Sequence, residues 1–114
     1  MTQFERRVRD WMLFHRDNPI LWEHFEDFAL KAIEKGHTKL SPWFIMNIVR
    51  WETDLYTTEK GFKINNNRIA FYSRYFLAKH PEFEHFFNVK RMRGETDLVI
   101  EDFRRAAAQG ELHV

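Results

Sequence analysis

The chain has 114 residues, with 18 Lys and Arg against 17 Asp and Glu and a formal charge of +1. A chain of that size forms one domain, burying roughly two-thirds of the surface it exposes when unfolded. The near-neutral balance excludes a protein-wide basic field, so any nucleic-acid contact requires a local basic patch. Cysteine is absent, which excludes disulfides and thiolate metal sites.

Hydrophobic residues make up 44% of the chain and aromatic residues 17%, with twelve Phe, four Trp and three Tyr. This is too apolar for a disordered chain and rich enough to place some rings at the surface. No apolar run approaches the ~18 residues of a membrane span. The start, "MTQFERRVRDW", carries acidic residues and no apolar core, which predicts no secretory signal and a cytoplasmic protein.

In chain order, Phe4, Val8, Trp11, Met12 and His15 form one helical stripe, predicting an N-terminal helix over 2–16. "DNP" breaks it: Asn18 suits a helix cap and Pro19 the first helical position. Leu21, Phe25, Phe28, Ala29 and Ala32 then repeat the stripe, and Gly36 suits the position just past the helix end. Ser41-Pro42 starts a third helix by the same device, running to Thr53. "LYTT" and "FKI", separated by Glu59-Lys60-Gly61, read as a short β-hairpin with a bulged turn.

A fourth helix spans about Asn66 to Lys79 and stops at His80-Pro81. A short helical turn follows in "PEFEHFF", then the basic run "NVKRMRG". Thr96 caps a last helix, whose Leu98, Val99, Phe103, Ala106 and Ala107 form a stripe ended by Gly110. The expected fold is therefore mainly α: a compact single domain over 1–114, with about five helices and a hairpin in a winged-helix-like order. Its core lies in 17–87, with the N-terminal helix before it and a basic segment and helix over 88–110.

Three surfaces stand out. On the fourth helix, Ile69, Ser73, Phe76 and His80 share the natural core side, flanked by Ala70, Tyr72 and Leu77. The opposite side carries Arg68, Phe71, Arg74 and Tyr75. Interleaved Arg and aromatic residues are the composition of interface hot spots and of groove-reading helices. The same composition also fits a helix buried all round, with one of the terminal helices packed over this side.

On the third helix, Trp43, Asn47 and Arg50 fall at i, i+4 and i+7, away from Phe44, Ile48 and Trp51. That places them on an outward face, as a contact site or as a quiet cation–π pair. Lys90, Arg91 and Arg93 form the third feature, a wing along a phosphate backbone or a solvated charge run.

The three asparagines Asn65, Asn66 and Asn67 sit where a strand must turn at once into a helix. Asn both caps helices and tolerates left-handed backbone, so a structural duty accounts for them. In the functional alternative, the Asn66 amide faces a ligand.

"GHTKLSP", "IVRWET", "FKINNN", the pattern A-x-Y-x-R-x-F from Ala70 to Phe76, and "HPEFEHFF" together resemble a group of small phage and prophage-borne bacterial proteins with no assigned activity. The likeness covers about Asp17 to Phe87 and is most specific in Arg50–Thr53 and Phe62–Asn67. It implies a phage or prophage setting and carries over no catalytic residues. Beyond Phe87 the chain departs from the group.

Catalysis finds no pattern here: there is no Gly-rich phosphate loop, no G-x-S-x-G and no cysteine nucleophile. Six His are present, and His24, His80 and His85 lie near acidic residues, but none has the spacing of a metal ligand set. The expectation is a non-enzyme without metal or cofactor. It is a small accessory protein that binds DNA through the Arg68–Arg74 helix face and the Lys90–Arg93 segment. The alternative is a protein-binding inhibitor or regulator of a host enzyme that uses the same aromatic–Arg face. Either could act as a homodimer.

Overall fold

The computed structural model describes residues 2–53 and 66–89, with the side chains of Asn66 and Asn67 outside that description. Among the described residues the chain forms four α-helices and one short 3-10 turn, and no strand. The helices are α1 (Gln3–Asp17), α2 (Pro19–Glu34), α3 (Pro42–Thr53) and α4 (Asn66–Lys79), followed by the turn Pro81–Phe83. The mainly helical architecture is as expected. The expected hairpin at 55–64, the basic segment from Lys90 and the last helix lie outside the described residues, so the described fold has four helices rather than five.

The boundaries follow from local chemistry. Thr2 caps α1: its Oγ1 accepts from the Glu5 N–H at 3.1 Å and donates to Glu5 Oε1 at 3.2 Å. The hydroxyl thus satisfies one N–H of the first turn and is itself oriented by the Glu5 carboxylate. Asn18 stands at the junction of α1 and α2, but its side chain does not cap α2. Instead its Nδ2 donates to the Phe14 carbonyl at 2.9 Å, closing the end of α1. Pro19 then opens α2 with the missing N–H in the place where helices leave one unused.

Helix α2 ends as its glycine requires. Gly36 has φ +101°, the Gly36 N–H donates to Ile33 O at 3.0 Å, and the His37 N–H donates to Ala32 O at 3.1 Å. These two bonds satisfy carbonyls that a helix end would otherwise orphan. Ser41 caps α3, accepting from the Trp43 N–H at 3.1 Å.

The core lies where α1, α2 and α4 meet and continues under α3. Phe4 and Trp11 of α1, Leu21, Trp22, Phe25 and Ala29 of α2, and Ile45, Met46 and Val49 of α3 are buried. So are Ile69, Phe71, Tyr72, Tyr75 and Phe76 of α4, together with Phe86 and Phe87. The N-terminal helix is thus part of the core. Its Trp11 is fully buried and lies 5.4 Å from Tyr72 and 5.7 Å from Tyr75, edge-on to both. At the far end, the Leu40 N–H donates to Phe86 O at 3.1 Å, tying the segment before α3 to the chain that follows α4.

Candidate functional site on the third helix

Helix α3 is apolar on nearly every side, so composition alone does not say which side faces in. Packing decides it. Ile45, Met46 and Val49 are 0–1% exposed, and they are the side turned to α2 and α4. The opposite side is therefore outward, and it carries Phe44 and Trp51 as well as Trp43, Asn47 and Arg50.

The expectation that Phe44 and Trp51 point inward is corrected. Phe44 is 53% exposed and Trp51 is 85% exposed, with Trp43 at 41%. Phe44, Asn47 and Trp51 fall at i, i+3 and i+7, and Trp43 and Arg50 flank them at the helical repeat. Three rings, one amide and one guanidinium thus share one face of a twelve-residue helix. The outward placement of Trp43, Asn47 and Arg50 agrees with the spacing that singled them out.

The fourth-helix face behaves differently. Phe71 is 0% exposed and Tyr75 2% exposed. Helix α1 covers them: Phe4 meets Phe71 edge-on at 5.7 Å, and Trp11 lies 6.3 Å from Phe71. Trp22 of α2 closes on Tyr75 at 4.5 Å. These two rings are core and offer no surface to a partner, so α4 is the helix buried nearly all round.

The two arginines of that face are held by the fold as well. Arg68 pairs with Asp10 of α1, Nε to Oδ2 at 3.1 Å, and its guanidinium lies 4.1 Å above the Phe14 ring. Arg74 donates from Nη1 to the carbonyl of Ala70 at 3.1 Å. Ser73, buried on the core side as expected, donates to the same carbonyl at 2.6 Å. Arg68 and Arg74 therefore act within α4 and across the α1 seam.

Asn66 opens α4, which places Asn66 and Asn67 in its first turn; their side chains lie outside the described residues. Lys90, Arg91 and Arg93 lie outside them too.

His80 is not a bare helix-end residue. Its Nε2 lies 2.8 Å from Glu26 Oε2, its Nδ1 3.7 Å from Glu82 Oε1, and Lys79 reaches the same Glu26 oxygen at 3.4 Å. Among the described residues no group of three or more acidic or imidazole side chains is arranged to hold a metal ion, and no helix is long and apolar enough to cross a membrane.

Sequence reasoning missed Phe44 and Trp51. The available signal was that Trp51 lies four residues from Asn47 and beside Arg50, so it shares the side on which the polar residues sit.

No family model matches this sequence, and no curated protein and no solved structure matches it.

Proposed function

We propose that this is a protein-binding module whose contact face is the outward side of α3. As the sequence resemblance implies a phage setting, the partner class is a host enzyme that the protein inhibits or regulates. The observation that carries the reading is Trp51 at 85% exposure beside Phe44 at 53% and Trp43 at 41%. Large rings cost free energy in water, and each buries about 150–250 Å² when covered. Trp and Arg are the residues that concentrate binding energy at interface centres.

Phe71 and Tyr75 are core, so the protein-binding reading loses the α4 face it shared with the DNA reading and moves to α3; the DNA reading loses that face too. It now rests on Lys90, Arg91 and Arg93 and on a winged-helix arrangement built from segments outside the described residues. With one arginine and three rings, the α3 face suits a protein surface better than a phosphate backbone.

The test compares wild type with Trp51→Ala. Affinity capture from host lysate, followed by titration of the captured protein, should give a complex that depends weakly on salt and is lost in the variant. Duplex DNA binding that falls steeply with salt, survives Trp51→Ala and weakens in Arg91→Ala would overturn the reading in favour of DNA. Self-association lost in Trp51→Ala would identify the partner as a second copy.

A further inference from the structure

The seam between α1 and the α2/α4 pair holds a titratable ring that the α3 face does not use. His15, in the last turn of α1, is surrounded by aromatic side chains from three helices. It stacks on Trp11 at 5.3 Å and meets Trp22 at 6.2 Å, Tyr72 at 6.3 Å and Tyr75 at 5.5 Å at steep angles. Its Nδ1 is buried and has no hydrogen-bond partner among the described residues. A neutral imidazole packs here as a flat ring. An imidazolium, in this half-buried ring, loses hydration at the buried Nδ1 and gains no acceptor there in return.

The charges around it do not supply one. On α1, Arg16 and Asp17 pair with each other at 3.2 Å on the exposed side. On α2, the Glu26 carboxylate is taken by Lys79 of α4 and by His80 just past its end. Lys79 lies 5.6 Å from the Trp22 ring that itself faces His15. The remaining titratable groups facing His15 from α4 are the Tyr72 and Tyr75 phenols, and one stretch along the seam Arg68 is paired with Asp10. Ring faces attract a cation, but this acts against both desolvation and a neighbouring positive charge. Burial first, and Lys79 second, push His15 below its ordinary value of 6.5.

Helix α1 packs on α2 and α4, and it makes no contact with α3 among the described residues. Helices α2, α3 and α4 also pack on one another. All four helices feed one buried cluster, to which α1 gives Phe4 and Trp11, and loosening α1 would break its packing on α2 and α4 without touching the α2–α3 and α3–α4 packing.

We propose that His15 is a proton-sensitive latch, and that its protonation releases α1 from α2 and α4. The face this uncovers carries Phe71, Tyr72, Tyr75 and Trp22, all buried in the latched form. The sign follows from linkage. The latched value lies below the released value, so the released form binds the proton more readily. Latching is intact above pH 6.5 and is lost as pH falls from there through the lower, latched value. This inference is independent of the α3 contact face.

The experiment follows wild type, His15→Phe and the control His85→Gln, whose side chain is 92% exposed in the wild type. Amide exchange on α1, tryptophan fluorescence and apolar-dye binding are read from neutral pH down to the carboxylate range. For wild type and the control, the logarithm of the opening constant should rise by up to about one per pH unit below 6.5, the signature of one proton. The phenyl variant should lose that slope. If it does not fold, the His15 ring carbon is titrated by NMR in wild type, and it should move below 6.5 in step with loss of α1 protection. An identical pH dependence in wild type and His15→Phe, or a folded-state titration of His15 at or above 6.5, would overturn the proposal.

Discussion

Arg68 lays its guanidinium 4.1 Å above the ring of Phe14, while its Nε bonds Asp10 Oδ2 at 3.1 Å and its Nη2 reaches Asp10 Oδ1 at 3.3 Å. One side chain of α4 thereby grips α1 twice, once by charge and once by the ring face. Because the Asp10 side chain is 54% exposed, solvent screens the ion pair, and the stacked, desolvated part contributes comparably. Arg68→Ala should therefore lower stability by about 1 kcal/mol. Binding through α3 should be unchanged. Urea denaturation and a binding titration on the same variant check both halves.

Glu26 is a second cross-helix anchor. It holds His80 at 2.8 Å and Lys79 at 3.4 Å, and all three side chains are less than one-third exposed. Glu26→Gln keeps the shape and removes the charge. The expected loss is about 1 kcal/mol, since it weakens two partly shielded contacts and leaves no isolated buried ion. High salt should narrow the difference between wild type and variant. A salt-independent gap would point to packing rather than charge.

Gly36 offers a cleaner test of backbone strain. Its φ is +101°, and a Cβ built there meets no atom within 4 Å. Any cost of Gly36→Ala is therefore conformational rather than steric crowding by neighbours. A destabilisation of about 1 kcal/mol is expected from holding an L-residue in the left-handed region, and helix α2 should fray first. Amide exchange at Lys35 and His37 would register it.

Punctuation was the most legible part of the fold. Pro19, Gly36, Pro42 and Pro81 mark ends that chain chemistry enforces wherever the helices pack, and each lies at or beside an observed boundary. Asn18 shows the limit: a good capping residue sits at the expected junction, but its amide serves the helix behind it. Faces were less legible, because α3 and α4 are apolar on several sides and local periodicity cannot choose among them. Which side of α4 is covered was settled by α1, and Phe4 and Trp11 come from more than fifty residues away in sequence. The α3 stripe Trp43, Asn47 and Arg50 was found because two of its members are polar. Hydrophobicity alone favours burial of Phe44 and Trp51, but Ile45, Met46 and Val49 fill the inward side of α3 and leave both rings outside.

The sharpest contrast is between Tyr75→Ala and Trp51→Ala. Tyr75 is 2% exposed and in contact with Trp11, His15 and Trp22, so removing its ring opens a cavity among aromatics that cannot all close in. A loss of about 3–5 kcal/mol is expected, a large fraction of the stability of a domain this size. Trp51 is 85% exposed, and its removal should change stability by no more than about 0.5 kcal/mol. At an interface, however, the same truncation should weaken a bound partner by about 2 kcal/mol or more, roughly thirtyfold in affinity. Thermal melts and binding titrations on both variants separate the two roles. A Trp51→Ala protein that melts as the wild type does but binds its partner unchanged would remove α3 as the contact face. A Tyr75→Ala protein of undiminished stability would mean that α1 does not cover α4 in solution.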